Sequence, residues 1–370
     1  MTRLKKFIKK ETVFCVAAVL AFITTIFVPP SALYIEYIDF RVLALLFCLM
    51  LAVAGIRGLG VFERIMECFL PHIKNLRQLV LILVLVTFFS SMWITNDVAL
   101  ITFIPFTILV LEAVGYCSQL ITVIVLQTIA ANLGSMCTPV GNPQNLYLYS
   151  LAEMSPDRFI RLMLPLTVVS LILLVLIICI VFWNAPQFEY NKQSREKFNP
   201  GVRIWIYILL FVLCLLTVIR VLDYRVLLVI TVAVIFATDY RLYLKADYML
   251  LITFAAFFVF VGNVKNIEPV RLFLEKCVGG NEVLVSVLAS QVISNVPAAV
   301  LLSGFTENIP LLLVGTNIGG LGTLIASMAS LISYKLYAGT KASEKGKYFF
   351  TFTVYNLIFL AVLLAVAYFW

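Results

Sequence analysis

Histidine is almost absent from this chain: one occurs in 370 residues, His72, within a charged stretch. A zinc site or a Ser-His catalytic arrangement has almost nothing to be built from. Charged residues are scarce too, at 12%. No GxxxxGK[ST] loop occurs, so ATP-driven transport by this chain alone is not expected. The eight cysteines, at positions 15, 48, 68, 117, 137, 179, 214 and 277, show no CxxC and no paired spacing. They read as small buried hydrophobes and not as disulfides or metal ligands. Enzyme chemistry would need a nucleophile with a base, or a metal cluster, and neither is supplied.

What the chain has in excess is apolar surface. Hydrophobic residues make up 63% and the mean hydropathy is +1.06, more than a water-soluble core absorbs. The fold class is therefore an all-α polytopic membrane protein. The net charge of +8 is distributed as a membrane protein requires, and no nucleic-acid partner is expected. With a cytoplasmic N-terminus, nineteen of the 27 basic residues fall on the cytoplasmic side: Met1–Lys10, the stretch from Arg57 to Arg77, the central polar loop, Arg241 with Lys245, and Lys335 to Lys347. This obeys the positive-inside rule. The expected location is the inner or plasma membrane, multi-pass, with the C-terminus outside. No small-residue cleavage site follows the first span, Val13 to Val28, which reads as an anchor.

Two polar interruptions stand out. Ser91-Met92-Trp93-Ile94-Thr95-Asn96-Asp97-Val98 lies between two charge-free arms, Leu79 to Phe89 and Ala99 to Leu111. Each unsatisfied backbone group in hydrocarbon costs several kcal/mol, so a break there must be buried in protein or line a cavity. An intramembrane carboxylate such as Asp97 is by default a functional residue. The structural reading is that Thr95 and Asn96 cap a helix and Asp97 pairs with a base elsewhere. The second interruption, Asn132 to Pro143, holds two glycines and two prolines, through which a helix cannot run.

Both interruptions recur. Ser290-Gln291-Val292-Ile293-Ser294-Asn295-Val296-Pro297 repeats the first at an offset of 199 residues, and Thr316 to Thr323 repeats Ala131 to Thr138 at an offset of 185, keeping Asn, Gly and Thr. Each pair follows a charged amphipathic segment, Gly58 to Arg77 or Val264 to Lys276, expected at the membrane interface. Five crossings between the copies put the second in the opposite orientation. The expectation is inverted-topology repeats, each with a re-entrant hairpin and a broken transmembrane helix: residues 1–183 (hairpin 79–113, broken helix 119–152), a cytoplasmic loop and connecting span at 184–222, and residues 223–370 (hairpin 282–306, broken helix 310–338).

Such breaks expose helix N–H groups and carbonyls together, so one pocket can take an anion and a cation. The candidate binding residues are Thr95, Asn96, Asp97, Asn132, Thr138, Gly141, Asn142, Ser294, Asn295, Asn317, Gly319 and Thr323. Oxygens of Thr95, Asn96, Asp97 and Thr138 suit a hard cation such as Na⁺. Asp97 adds charge to one half only, as a Na⁺ ligand, a proton carrier, or both in competition. The glycines permit unusual backbone angles or, equally, close helix packing. No cofactor is expected beyond Na⁺ as coupling ion.

At these residues the sequence resembles the ion transporter superfamily, which gathers divalent anion/sodium symporters, citrate-type permeases, arsenite permeases and a class of sodium/proton antiporters. The resemblance covers nearly the whole chain and is most specific at Thr95-Asn96-Asp97, Ser294-Asn295-Val296 and Thr138-Pro139-Val140-Gly141-Asn142-Pro143-Gln144-Asn145. In the dicarboxylate symporters the hairpin tips carry Ser-Asn-Thr, which binds Na⁺ and the substrate carboxylate; by position Thr95, Asn96, Ser294 and Asn295 take those roles. Asp97 and Val296 depart from that triplet, and an acidic residue after Asn is more similar to the arsenite-permease and sodium/proton-antiporter branches. The Gly-Asn-Pro-Gln-Asn stretch resembles citrate-transporter-like permeases. The resemblance implies a secondary active transporter of a small anion, a carboxylate or oxyanion, coupled to Na⁺ or H⁺. Its partners would be that solute, the coupling ion, the lipid bilayer and a second copy in a homodimer. The alternatives are Na⁺/H⁺ exchange and metalloid oxyanion (arsenite) efflux, with a channel ranked below any carrier.

Overall fold

The computed structural model describes residues 11–61, 64, 73–184, 201–340 and 343–369. The basic N-terminus, His72, most of the first amphipathic segment and most of the central polar loop lie outside the described residues. Within them the chain is helical, without a strand. Among the described residues eight helices are long and apolar enough to cross a membrane.

An outer layer is built from α1 (Thr12–Thr24), the short α2 (Leu33–Glu36), α3 (Phe40–Gly58), α9 (Arg203–Val218), α10 (Tyr224–Asp239) and α11 (Tyr248–Lys265). Here α1 packs on α11, while α9 and α10 pack on α3. Lipid offers apolar side chains no gain from mutual burial, so close approach of backbones decides which helices associate. A Cβ on Gly55 would lie 2.6 Å from the ring of Tyr207, which fixes α9 against α3. Between α10 and α11 lies a 3₁₀ segment, Tyr240–Lys245.

The inner layer holds the interruptions. Helices α4 (Leu76–Ile94) and α5 (Asn96–Ala113) meet at Thr95. The first broken helix follows as α6 (Leu120–Ser135) and α7 (Pro143–Leu151). After α8 (Pro156–Val181), α9, α10, α11 and α12 (Glu268–Val278), the second hairpin is α13 (Glu282–Ile293) with α14 (Asn295–Leu302), joined at Ser294. The second broken helix is α15 (Ile309–Ile318) with α16 (Met328–Ala338), and α17 (Lys345–Tyr368) closes the chain. Every residue of α6 except Thr122 is buried, so α6 is the axis of the fold. Around it lie α4, α5, α16 and α17.

One expectation is adjusted. The first broken helix holds its helical turn through Asn132 and Gly134 to Ser135, because Gly134 is where α4 comes closest: a Cβ there would lie 2.6 Å from Ser91 Oγ and overlap the Phe88 carbonyl. The hairpins also differ in reach. At 1.5 Å per residue α4 and α5 are ~28 and ~27 Å long, near the hydrocarbon thickness, whereas α13 and α14 are ~18 and ~12 Å. The helices of the second hairpin fall short of that thickness, and those of the first approach it.

Candidate functional site

Each hairpin turns on one residue in the same left-handed conformation, Thr95 (φ 69°, ψ 151°) and Ser294 (φ 74°, ψ 154°). Non-glycine residues hold such angles at a cost of about 1–3 kcal/mol and only where the surroundings enforce them. The enforcing contacts are the same twice. The Asn96 N–H donates to the Gly141 carbonyl (3.2 Å), and the Asn295 N–H to the Ala326 carbonyl (2.9 Å). The Thr138 hydroxyl donates to the Met92 carbonyl, and the Thr323 hydroxyl to the Gln291 carbonyl (3.2 Å). Gly134 presses on Ser91, and Gly319 on Ser290, each at 2.6 Å from the hydroxyl for an added Cβ. Each asparagine then turns its Oδ1 onto the next N–H, that of Asp97 at 2.9 Å and of Val296 at 3.0 Å. Every pair keeps the sequence offsets of 199 and 185, so the repeat is one of contacts as well as of residues.

The two tips face different cavities. The first, of about 740 Å³, is lined by Thr95, Asp97 and Asn142 together with apolar residues of α3 and α5 and with Arg57, Lys245 and Asp247. The second, of about 380 Å³, is lined by Ser294, Val296 and Pro297, with Glu11, Asp247 and Lys335. Asp247, Leu250, Met328 and Ile332 form a wall common to both.

Of the twelve candidate residues, the structure therefore brings Thr95, Asp97, Asn142 and Ser294 to cavity walls. The other eight line neither cavity, and Thr323 is exposed. Asn132 is 3% exposed and braces the centre: its Oδ1 accepts from Asn96 Nδ2 (2.9 Å) and Ser327 Oγ (3.0 Å), and its Nδ2 donates to the Gly320 carbonyl (3.3 Å). Asn317 Nδ2 donates to Asn145 Oδ1 at 2.7 Å, a second link between the halves. Asn295 is buried, Thr138 and Thr323 clamp the hairpins, Gly141 offers its carbonyl, and Gly319 is a packing residue.

Three oxygens at the first cavity have no hydrogen-bond partner among the described residues. Asp97 Oδ1 and Asn142 Oδ1 are buried without a hydrogen bond, and the Thr95 hydroxyl makes none among the described residues. In the set Thr95, Asn96, Asp97 and Thr138, the Asn96 Oδ1 is taken by the Asp97 N–H and the Thr138 proton by Met92. The free oxygens are those of Thr95, Asp97 and Asn142. Among the described residues no group of three His, Cys, Asp or Glu could hold a metal ion.

Sequence reasoning missed Ser327, Gln291 and the cavity charges Arg57, Lys245 and Asp247. Ser327 stands at the repeat position of Asn142, and each precedes the first residue of a resumed helix, so extending the 185-residue offset by four positions finds it. Gln291 matches Met92 and holds the second half more firmly, donating to the Gly319 and Leu321 carbonyls at 3.1 and 3.0 Å.

A family model described as citrate transporter matches residues 2–309. The chain belongs to the citrate transporter family. Members of this family are transporters and not enzymes, and with eight spanning-length helices the chain is a multi-pass membrane transporter. An uncharacterized transporter of Methanocaldococcus jannaschii is 34% identical over 305 residues, covering 80% of this chain and 81% of its own. Inner membrane protein YbiR of Escherichia coli is 30% identical over 314 residues, covering 81% and 80%. A low-affinity phosphate transporter of Saccharomyces cerevisiae is 32% identical over 130 residues, 34% of this chain and 14% of its own.

Proposed function

We propose that the chain is a secondary active transporter that carries a small anion, a carboxylate or oxyanion, by alternating access, coupled to Na⁺ or H⁺ through Asp97. The observation that carries this is the duplicated hairpin tip, with the same backbone strain at Thr95 and Ser294 and each tip on its own cavity. Discontinuous helices in corresponding positions of two repeats are where secondary transporters bind substrate and ion. The repeats are read as inverted, with the boundaries given by the hairpins and broken helices.

The division of labour follows from the free groups. Backbone N–H groups at the start of α5 favour a negative charge, and α5 is long enough for its dipole to count. The Thr95, Asp97 and Asn142 oxygens suit Na⁺ as substrate ion, or Asp97 alone carries a proton. Anionic cargo accords with the family and with the phosphate relative. Arg57, Lys245 and Lys335 lie on the side assigned as cytoplasmic by charge, and both cavities reach it. The conformation is therefore read as inward-open.

Na⁺/H⁺ exchange is the second reading, favoured by the single carboxylate in only one of two otherwise matched tips. Proteoliposomes loaded with a pH dye separate the two. Citrate, succinate, phosphate or arsenite uptake driven by a Na⁺ or proton gradient is the expected result. A Na⁺-driven proton flux with no anion present overturns anion carriage in favour of exchange.

A further inference from the structure

We propose that Lys245, with Arg57 beside it, is the anion-selecting charge of the first cavity and favours doubly charged solutes over singly charged ones. The inference rests on the anion-carrier reading and adds a residue that neither the repeat nor the hairpin tips supply.

Among the described residues lining this cavity four are ionisable: Arg57, Asp97, Lys245 and Asp247. Their commitments differ. Asp247 Oδ1 caps α11 by accepting from the Leu250 N–H at 3.0 Å. The Arg57 guanidinium donates to the Ile101 carbonyl of α5 at 3.3 Å, tying the outer helix α3 to the arm that follows the first tip. Lys245 makes no hydrogen bond or ion pair among the described residues, and its Nζ lies about where a Cβ on Gly58 would touch it, at 3.5 Å.

That places an ammonium with three unused donors at the exposed mouth of the cavity, across from the end of α3. Position near a helix C-terminus is favourable for a cation and accounts for where the group rests. It leaves its donors open. A free cation over a cavity with low-dielectric walls concentrates anions and acts more strongly on two charges than on one. Arg57 is held by α5, so it adds field without mobility, while Lys245 can follow a solute inward on a flexible stem.

The test measures the concentration dependence of succinate, citrate and lactate uptake in proteoliposomes at two ionic strengths, for the wild type, Lys245→Gln, Lys245→Arg and Arg241→Gln. Arg241 removes the same charge from a neighbouring exposed site outside the first cavity. Lys245→Gln should raise KM for the doubly and triply charged anions by about five-fold, with the maximal rate much less affected, and should flatten the salt dependence of KM. Lactate should respond less, and Lys245→Arg should recover most of the affinity. An unchanged KM and salt slope in Lys245→Gln, or an equal shift in Arg241→Gln, overturns the inference while leaving the carrier reading intact. No wild-type flux of any anion counts against the carrier reading itself, and the inference falls with it.

Discussion

Asn132→Ala removes one side chain and strands three buried partners at once. Asn96 Nδ2 and Ser327 Oγ lose their acceptor, and the Gly320 carbonyl its donor. Hydrogen bonds inside membrane proteins average ~0.6 kcal/mol each, while an orphaned buried group costs about 1–3 kcal/mol. Three such losses, partly relieved by relaxation, total about 2–4 kcal/mol. The same substitution at Asn356 is the control: it is equally buried, but its Nδ2 donates only to the Phe352 carbonyl of its own helix at 2.9 Å. Thermal unfolding in detergent should therefore show a fall of several degrees for Asn132→Ala and a much smaller one for Asn356→Ala. Uptake should fall at least ten-fold in the first, because Asn96 also caps the Asp97 N–H and its side chain loses its anchor. Equal melting shifts in the two variants, or unimpaired uptake with Asn132→Ala, would refute the brace.

Four other outcomes follow from the same geometry. Asp97→Asn should abolish gradient-driven uptake while anion binding persists in an equilibrium assay; full coupled transport by this variant removes Asp97 from the coupling role. Thr95→Gly should raise thermal stability by about 1 kcal/mol by releasing left-handed strain, yet lower transport through loss of the free hydroxyl, and a melting temperature lowered by several degrees would show the angle to be unstrained. Gly319→Ala drives a Cβ to 2.6 Å from Ser290 Oγ; it should destabilise, and Ser290→Gly should recover part of the loss, which a double-mutant cycle reads as coupling. Glu153→Gln breaks the 3.7 Å pair with Arg220 at a partly exposed site, so stability should change by under about 1 kcal/mol, and a larger change in melting would show that the pair is buried in the lipid-embedded protein.

Composition alone settled that this is a polytopic membrane protein, and the polar knots at Thr95–Asp97 and Ser294–Val296 marked the breaks that pointed to transport. Hydrocarbon tolerates neither free backbone nor idle polar side chains, so at membrane depth a short polar run carries more information than it would in a soluble loop. Matching offsets exposed the repeat for the same reason. Only the tertiary structure decided which of those residues meet a cavity. Asn96 and Asp97 are adjacent, yet a helix turns about 100° per residue, so Asp97 lines the cavity while Asn96 is buried against Asn132. The brace joins Asn132 to Gly320 and Ser327 across 188 and 195 residues, and the cavity gathers Arg57, Asp97 and Lys245 from three separate elements. Contacts at such separation depend on how the helices cross, which is set by the small residues that let them approach, Gly134 and Gly319 among them, and not by any local pattern in the chain.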